Sequence, residues 1–264
     1  MTAIDFESVN SAEDVAAVMR AMYGGDLSRV GGVVHVAAVW RDMGKRLITM
    51  RINAQTPKST HDYFVLNLAR ARADAIITSG RVLREEPELT HEIAGPTGSG
   101  AALESWRREV AKKSKPPVSL VLTSGRDLDL HHPIFRGPGA TVLFTNPEAA
   151  ASLGAKNVGS SIRIVGRSDV GPRAAVRFLS GECGAETVSI ELGPSSARAL
   201  YGHPSQVDEL LLSILDAPRI PRTVVGPDFI DAATLDRVLS NRSSPFRVRD
   251  GTDSDTWSFT RHTR

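Results

Sequence analysis

The chain has one cysteine, Cys183, in 264 residues. A single thiol cannot close an intrachain disulfide, and it excludes the multi-cysteine zinc clusters. Its neighbours Gly181, Glu182 and Gly184 place it in a loop, as an incidental thiol. Neither sign of charge is in excess. The 32 Lys and Arg against 30 Asp and Glu leave a net charge of +2, too little for phosphate-driven binding to nucleic acid. No apolar run approaches the length of a membrane span. The opening MTAIDFESVN is acidic and lacks the basic-then-apolar pattern of a secretory signal. These absences lead to the expectation of a soluble, cytoplasmic protein with no nucleic-acid or membrane partner.

Catalytic signatures are missing as well. The chain contains no G-x-G-x-x-G fingerprint, P-loop, G-x-S-x-G elbow or H-E-x-x-H zinc motif. His131 and His132 precede a proline in a glycine-rich loop, with no acidic or cysteine partner nearby, so they read as loop residues and no metal is expected. The basic run Arg107 to Lys115 sits beside a proline pair and reads as a solvated linker.

What is present is an ordinary globular composition, 41% hydrophobic and 23% charged. Short apolar runs recur at Val33 to Trp40, Lys45 to Ile52, Asp74 to Ser79, Val118 to Ser124, Ala140 to Asn146, Ser161 to Gly166, Thr187 to Gly193 and Glu209 to Leu215. Several are continuous rather than alternating, which predicts strands covered on both faces. Helical patterns lie between them, as a mostly parallel α/β sheet requires. A helix starts at Ala12 or Glu13. Another follows the box Ser59-Thr60-His61-Asp62, with Val65, Leu68 and Ala69 on its apolar face. Others are expected over Pro172 to Leu179, after Gly193, and over Asp231 to Leu239. Loops are expected at Ile93 to Gly100 and Gly125 to Gly139. Pro245 to Arg249 and Thr256 to Arg261 alternate like a half-exposed antiparallel hairpin. The organisation expected is an extension over 1–30 followed by one domain over 31–264.

Two stretches could carry chemistry. In ETVSIELGPSSARALY a strand ends at Glu191, and Gly193 and Pro194 open a helix with Ser195 and Ser196 in its first turn. Proline loses no needed donor at that position, and glycine allows close approach of a ligand to the backbone. Such a turn is either an anion site or simply a capped helix start. In ADAIITSGRVLREEPELT a strand runs into Ser79, Gly80 and Arg81, which could face a phosphate. Glu85 and Glu86 could instead pair with Arg81 or Arg84 as surface ions of little energetic weight. Together, two strand-end glycine turns in one sheet fit the pyrophosphate of a dinucleotide.

On these residues the chain resembles the pyrimidine reductase domain of riboflavin biosynthesis, whose fold is dihydrofolate-reductase-like. The resemblance rests on Asp74-Ala75-Ile76, Ser79-Gly80, Glu85-Glu86-Pro87-Glu88-Leu89-Thr90, a strand ending at Ser124, Glu191-Leu192-Gly193-Pro194 and Val207-Asp208-Glu209-Leu210, in that order. It implies a mostly parallel central sheet flanked by helices, an NADPH-dependent reductase of a small-molecule substrate, and a homodimer. It also implies cofactor contacts at Ser79, Gly80, Arg81, Glu85, Ser124, Gly193, Pro194, Ser195 and Ser196, and substrate contacts at Arg70, Leu89 and Glu191. The family reaction gives a hydride to the sugar carbon of a ribosylamino-pyrimidine phosphate. The chain departs from the family pattern at Arg81, where the family has a threonine, and at Glu92, where it has a substrate-binding arginine. No H-x-E or P-C-x-x-C is present, so the deaminase half that often accompanies the reductase is missing. No proton donor is singled out, although Tyr63 and His61 lie on the expected substrate side.

Overall fold

The computed structural model of the protein describes residues 3–28, 31–156, 162–250 and 255–264. The first half of the chain contributes α1 (Ala12–Tyr23), β1 (Gly32–Arg41), β2 (Leu47–Met50), α2 (Thr60–Arg72), β3 (Ala75–Ser79), α3 (Gly80–Glu85), α4 (Gly100–Glu109) and β4 (Val118–Leu122). The sheet continues through β5 (Thr141–Thr145), α5 (Pro147–Lys156), β6 (Arg163–Gly166), α6 (Pro172–Glu182), β7 (Thr187–Ile190) and α7 (Pro194–Arg198). The last elements are β8 (Glu209–Asp216), β9 (Val225–Asp228), α8 (Ala232–Val238), β10 (Asn241–Arg242), β11 (Phe246–Arg249) and β12 (Thr256–Thr263).

Among the described residues twelve strands join one sheet; nine follow the order β10-β12-β8-β1-β7-β3-β4-β5-β6, and β11 pairs with β12. From β8 to β6 the neighbours run parallel, while β12 is antiparallel to β8. The short β2 and β9 form an antiparallel branch off β1. The parallel strands are the continuous apolar runs of the sequence; β3, β4, β5, β7 and β8 are buried on both faces, while β1 and the edge strand β6 are buried only in part. Among the described residues, no helix is long and apolar enough to cross a membrane.

One face packs Ile77, Leu120, Phe144 and Leu212 against α6, α7 and α8. On the other, Val34, Leu211 and Leu215 meet α1, α2 and α4. The residues preceding β1 therefore belong to this second core, with Phe6, Met19 and Met22 packed among Phe64, Leu103 and Trp257. Helix α1 is fixed at its start by a reciprocal box: Ser11 Oγ accepts from the Asp14 amide, and the Asp14 carboxylate accepts from the Ser11 amide. In α2 the serine half of the expected box forms, Ser59 Oγ accepting from the Asp62 amide.

Several expectations need correction. The expected hairpin forms, and β11 alternates buried and exposed residues, but β12 is largely buried because it also pairs with the whole of β8. The basic run from Arg107 is not uniformly solvated. Arg107 lies in α4 and is buried, and its Nη1 donates to the carbonyls of Ala71 and Ala73 at the end of α2 (2.8 and 2.7 Å). A cation there also suits the negative end of that helix. Helices α3, α4 and α5 and strands β9 and β10 were not anticipated; α3 has only six residues, too few to show a helical period. The start of the run expected from Ser161 lies outside the described residues.

A buried ionic knot ties α2 to the sheet. Arg72 pairs with both oxygens of Glu209 on β8 (3.1 and 2.8 Å), and Arg261 on β12 reaches the same carboxylate (2.7 Å). Arg72 Nε also donates to the carbonyl of Leu27 (3.0 Å), which holds the segment leading into β1.

Candidate functional site

The strands β7 and β3 are parallel neighbours, in register through Ile190 and Ile77, and the Glu191 amide donates to the Ile77 carbonyl (2.9 Å). Their carboxyl ends therefore lie side by side, with β4 next in line. After β3 the chain enters α3, whose Leu83 packs with Val121 and Leu143 on the α2 side of the sheet. After β7 it enters α7, whose Ala197 packs on the α6 side. The two connections diverge to opposite faces. In open α/β sheets, ligands bind outside the strand ends where neighbouring connections diverge in this way.

The sequence-predicted cofactor residues are brought together at this edge. Ser79 caps α3, its hydroxyl accepting from the Val82 amide (3.3 Å). Gly80 has a packing reason to be glycine, since a Cβ there would stand 2.9 Å from Thr123 Oγ1. Gly193 differs: a Cβ there would meet nothing within 4 Å, so the space beside it is open. The Ser196 and Ala197 amides turn inward onto the Gly193 carbonyl (both 3.0 Å), while Pro194 occupies the first helical position. Ser124 and Ser195 are exposed. Arg81 is exposed too and is paired with Glu85 one helical turn on (2.8 Å), the surface ion pair that the sequence allowed as an alternative.

The substrate residues of the resemblance fall on the α2 side. Arg70 on α2 and Glu191 form a buried bidentate pair, Nε to Oε1 at 2.8 Å and Nη2 to Oε2 at 2.7 Å. Burial pushes the Glu191 carboxyl up, but the Arg70 guanidinium outweighs it and holds the group below its ordinary range. Leu89 is half-buried and packs at the edge of the Leu83–Val121 cluster. The segment after α3 folds back beneath α2: Arg70 Nη1 donates to the Glu92 carbonyl (3.4 Å), the Ala94 amide donates to Asn67 Oδ1 (2.8 Å), and His91 Nδ1 meets Ser119 Oγ (2.9 Å).

Three polar groups escaped the sequence reading. Glu86 does not join the surface ions. Burial first, and then the nearby charge of Glu191, push its carboxyl up to about 7. His132 is buried rather than a free loop residue. Its Nδ1 accepts from the Ile134 amide (3.2 Å), so Nε2 carries the proton and donates to the Glu86 carbonyl (3.1 Å). His91, also buried, stands 3.9 Å from Glu191 Oε2, and burial drives it down to about 4. Periodicity could not find these three, because each lies outside a helix or strand. The only signal was the proline that follows Glu86 and His132; His91 has none.

His61 is placed away from this cluster. It is buried at the start of α2, where Nδ1 meets Asp250 Oδ2 (2.7 Å) and Nε2 accepts from the Ile4 amide (3.3 Å). Both ring nitrogens are used in holding the N-terminal segment and the end of β11, which removes it as a proton donor for a ligand. Tyr63 is 44% exposed and remains accessible.

No family model and no curated protein matches the chain. Solved structures do. A pyrimidine reductase-like protein from Corynebacterium diphtheriae superposes with a TM-score of 0.58 at 16% identity, over 96% of this chain and 98% of that one. The Saccharomyces cerevisiae riboflavin biosynthesis reductase Rib7 gives 0.52 at 12% identity, over 95% of this chain and 100% of its own. Acinetobacter baumannii RibD gives 0.54 at 15% identity over 89% of this chain, which spans 59% of that protein's length. The chain thus has the dihydrofolate-reductase-like fold of the riboflavin pyrimidine reductases.

Proposed function

We propose that the protein is an NADPH-dependent reductase of a small molecule, with the nucleotide in the crevice outside β3, β4 and β7. The observation that carries this reading is the divergence of α3 and α7 to opposite faces, with open space at Gly193 and exposed serines at Ser124 and Ser195. These residues fit a dinucleotide's phosphates by hydroxyl donation and close backbone approach. NADPH would supply a hydride. The protein's part is positioning and electrostatics. The Arg70–Glu191 pair offers a fixed, self-neutralised polar wall, and Glu86 beside it holds a proton near neutral pH, as a general acid needs. The substrate we favour is the ribosylamino-pyrimidine phosphate of the family reaction.

A second reading has its own support. Arg81 is already paired with Glu85, and Glu92 puts a negative side chain where the resemblance implies an arginine. A phosphorylated substrate would be repelled there. On this reading the protein reduces a different molecule or only binds one.

The test is thermal unfolding of the full chain with NADPH, NADH and NADP. At about a hundred times the dissociation constant, a ligand specific for the native state adds about 2.7 kcal/mol, a shift of several degrees. A shift with NADPH that exceeds the one with NADH is expected. No shift at saturating nucleotide would sink the reductase reading in favour of the second. The resemblance supports a homodimer as well; sedimentation velocity at micromolar concentration should give twice the chain mass, and a 28.4 kDa species alone would reject it.

A further inference from the structure

The last turn of α2 lies at the amino end of the sheet, where Arg72 meets Glu209 at the start of β8. The helix has 13 residues and so spans about 20 Å, while β3, with five, spans about 17 Å. Running back along the sheet, α2 therefore brings its first turn over the carboxyl ends of the strands. Tyr63 lies in that turn, seven residues before Arg70. Seven residues make nearly two full turns, so both side chains share one face of the helix, with about 10 Å between them along its axis.

Helix side chains lean toward the helix start, which carries the Arg70 guanidinium up toward Tyr63. The charge balance at Arg70 agrees. Burial pulls the guanidinium down, and this is outweighed by Glu191 first, then by the Tyr63 hydroxyl and Glu86. Tyr63 keeps 44% of its surface exposed, whereas Phe64 and Val65 beside it are wholly buried. Its backbone is held: Asn67 Nδ2 donates to the Tyr63 carbonyl (2.9 Å), and Asn67 Oδ1 accepts from the Ala94 amide (2.8 Å). Beneath it the Arg70–Glu191 pair is bidentate, and such a pair is planar. A planar ion pair below and an accessible aromatic ring above are surfaces that a flat ring contacts well.

We propose that Tyr63 is a specificity residue that stacks on a flat heteroaromatic ring of the substrate, held between it and the Arg70–Glu191 pair. The inference rests on the reading that puts the substrate beside that pair. It requires no particular chemistry at the reacting carbon.

The test is ligand-observed saturation-transfer NMR of the full chain, with uracil and dihydrouracil as probes. The two share a hydrogen-bonding edge, and only uracil has a flat, unsaturated ring. Uracil should bind saturably in the millimolar range, and dihydrouracil several-fold more weakly. Tyr63→Leu keeps an apolar side chain but loses the aromatic face, and should weaken uracil about tenfold, within the usual worth of stacking one base. Tyr63→Phe keeps the ring and should bind uracil as wild type does. The unfolding midpoint and its shift with NADPH should be the same in wild type and both variants, which separates stacking from a structural role. Uracil affinity unchanged in Tyr63→Leu, equal binding of dihydrouracil, or no saturable uracil binding would overturn the inference, whether or not NADPH stabilises the protein. Tyr63-dependent uracil binding without an NADPH shift would uphold it and remove the reductase reading alone.

Discussion

Replacing Glu209 by alanine is expected to destabilise the protein by about 3–5 kcal/mol, because it removes one side of a buried ion pair and strands the other. Arg72 is fully buried and Arg261 is half-buried, and both direct their guanidinium groups at this one carboxylate. The Leu27 carbonyl satisfies one Arg72 donor but cannot offset its charge. Burial pushes the Glu209 carboxyl up, and the two arginines more than reverse this, holding it below its ordinary value. The sign of the pH dependence follows. A carboxylate with a depressed folded-state value stabilises the fold above its unfolded value, and that contribution is lost as pH falls through the folded one. Wild type should therefore lose stability on acidification below about pH 4.5, and Glu209→Ala should show less of that loss. Urea unfolding from pH 3 to 8, read as midpoint and slope, checks both points. A destabilisation under about 1 kcal/mol would mean that the knot is solvated in solution.

Glu86→Gln should act in the opposite direction. Its carboxyl is raised from an ordinary 4.5 to about 7, so the folded state binds the proton more tightly than the unfolded state does. The native protein then loses stability as pH rises between those two values, because an ionised Glu86 must sit beside Glu191 in a partly buried site. Glutamine keeps the shape and removes the charge. The variant should be more stable than wild type at pH 8 by about 1–2 kcal/mol, after allowing for solvent screening of a partly exposed group, and the two should converge near pH 4. If Glu86 is also the proton donor, the same variant loses turnover while gaining stability, an exchange common at functional sites. Equal stability at pH 8 would place Glu86 in solvent.

The parallel strands and most of the helices were legible because burial on both faces leaves continuous Val, Ile and Leu runs, and because Ser11, Pro172, Gly193 and Asp231 mark helix starts. The pairing of the Ser79-Gly80 and Gly193 turns was legible as two strand-end glycines, whereas Ser124 joined them only through the family resemblance. Sequence order separates these residues, and strand order is set by long-range pairing. Arg107 and Arg72 were not legible at all. A buried arginine looks like a surface one until its carbonyl or carboxylate partners are placed around it. Glu86 went unseen for a similar reason: it is one residue beyond the last turn of α3, where local pattern does not say whether the chain turns in or out.

The position of β7 has a kinetic consequence. It lies between β1 and β3, yet Thr187 pairs with Gly32 from the far end of the chain. During synthesis, β3 to β6 can assemble as a small parallel sheet well before residues 187–190 leave the ribosome. Until they arrive, β1 and β3 each present an unpaired inner edge, the kind of template that recruits a neighbouring chain. Long-range parallel pairing is also slow to form. Glu191 comes in with the same strand, so the Arg70 wall cannot be completed until the gap at the centre of the sheet has closed.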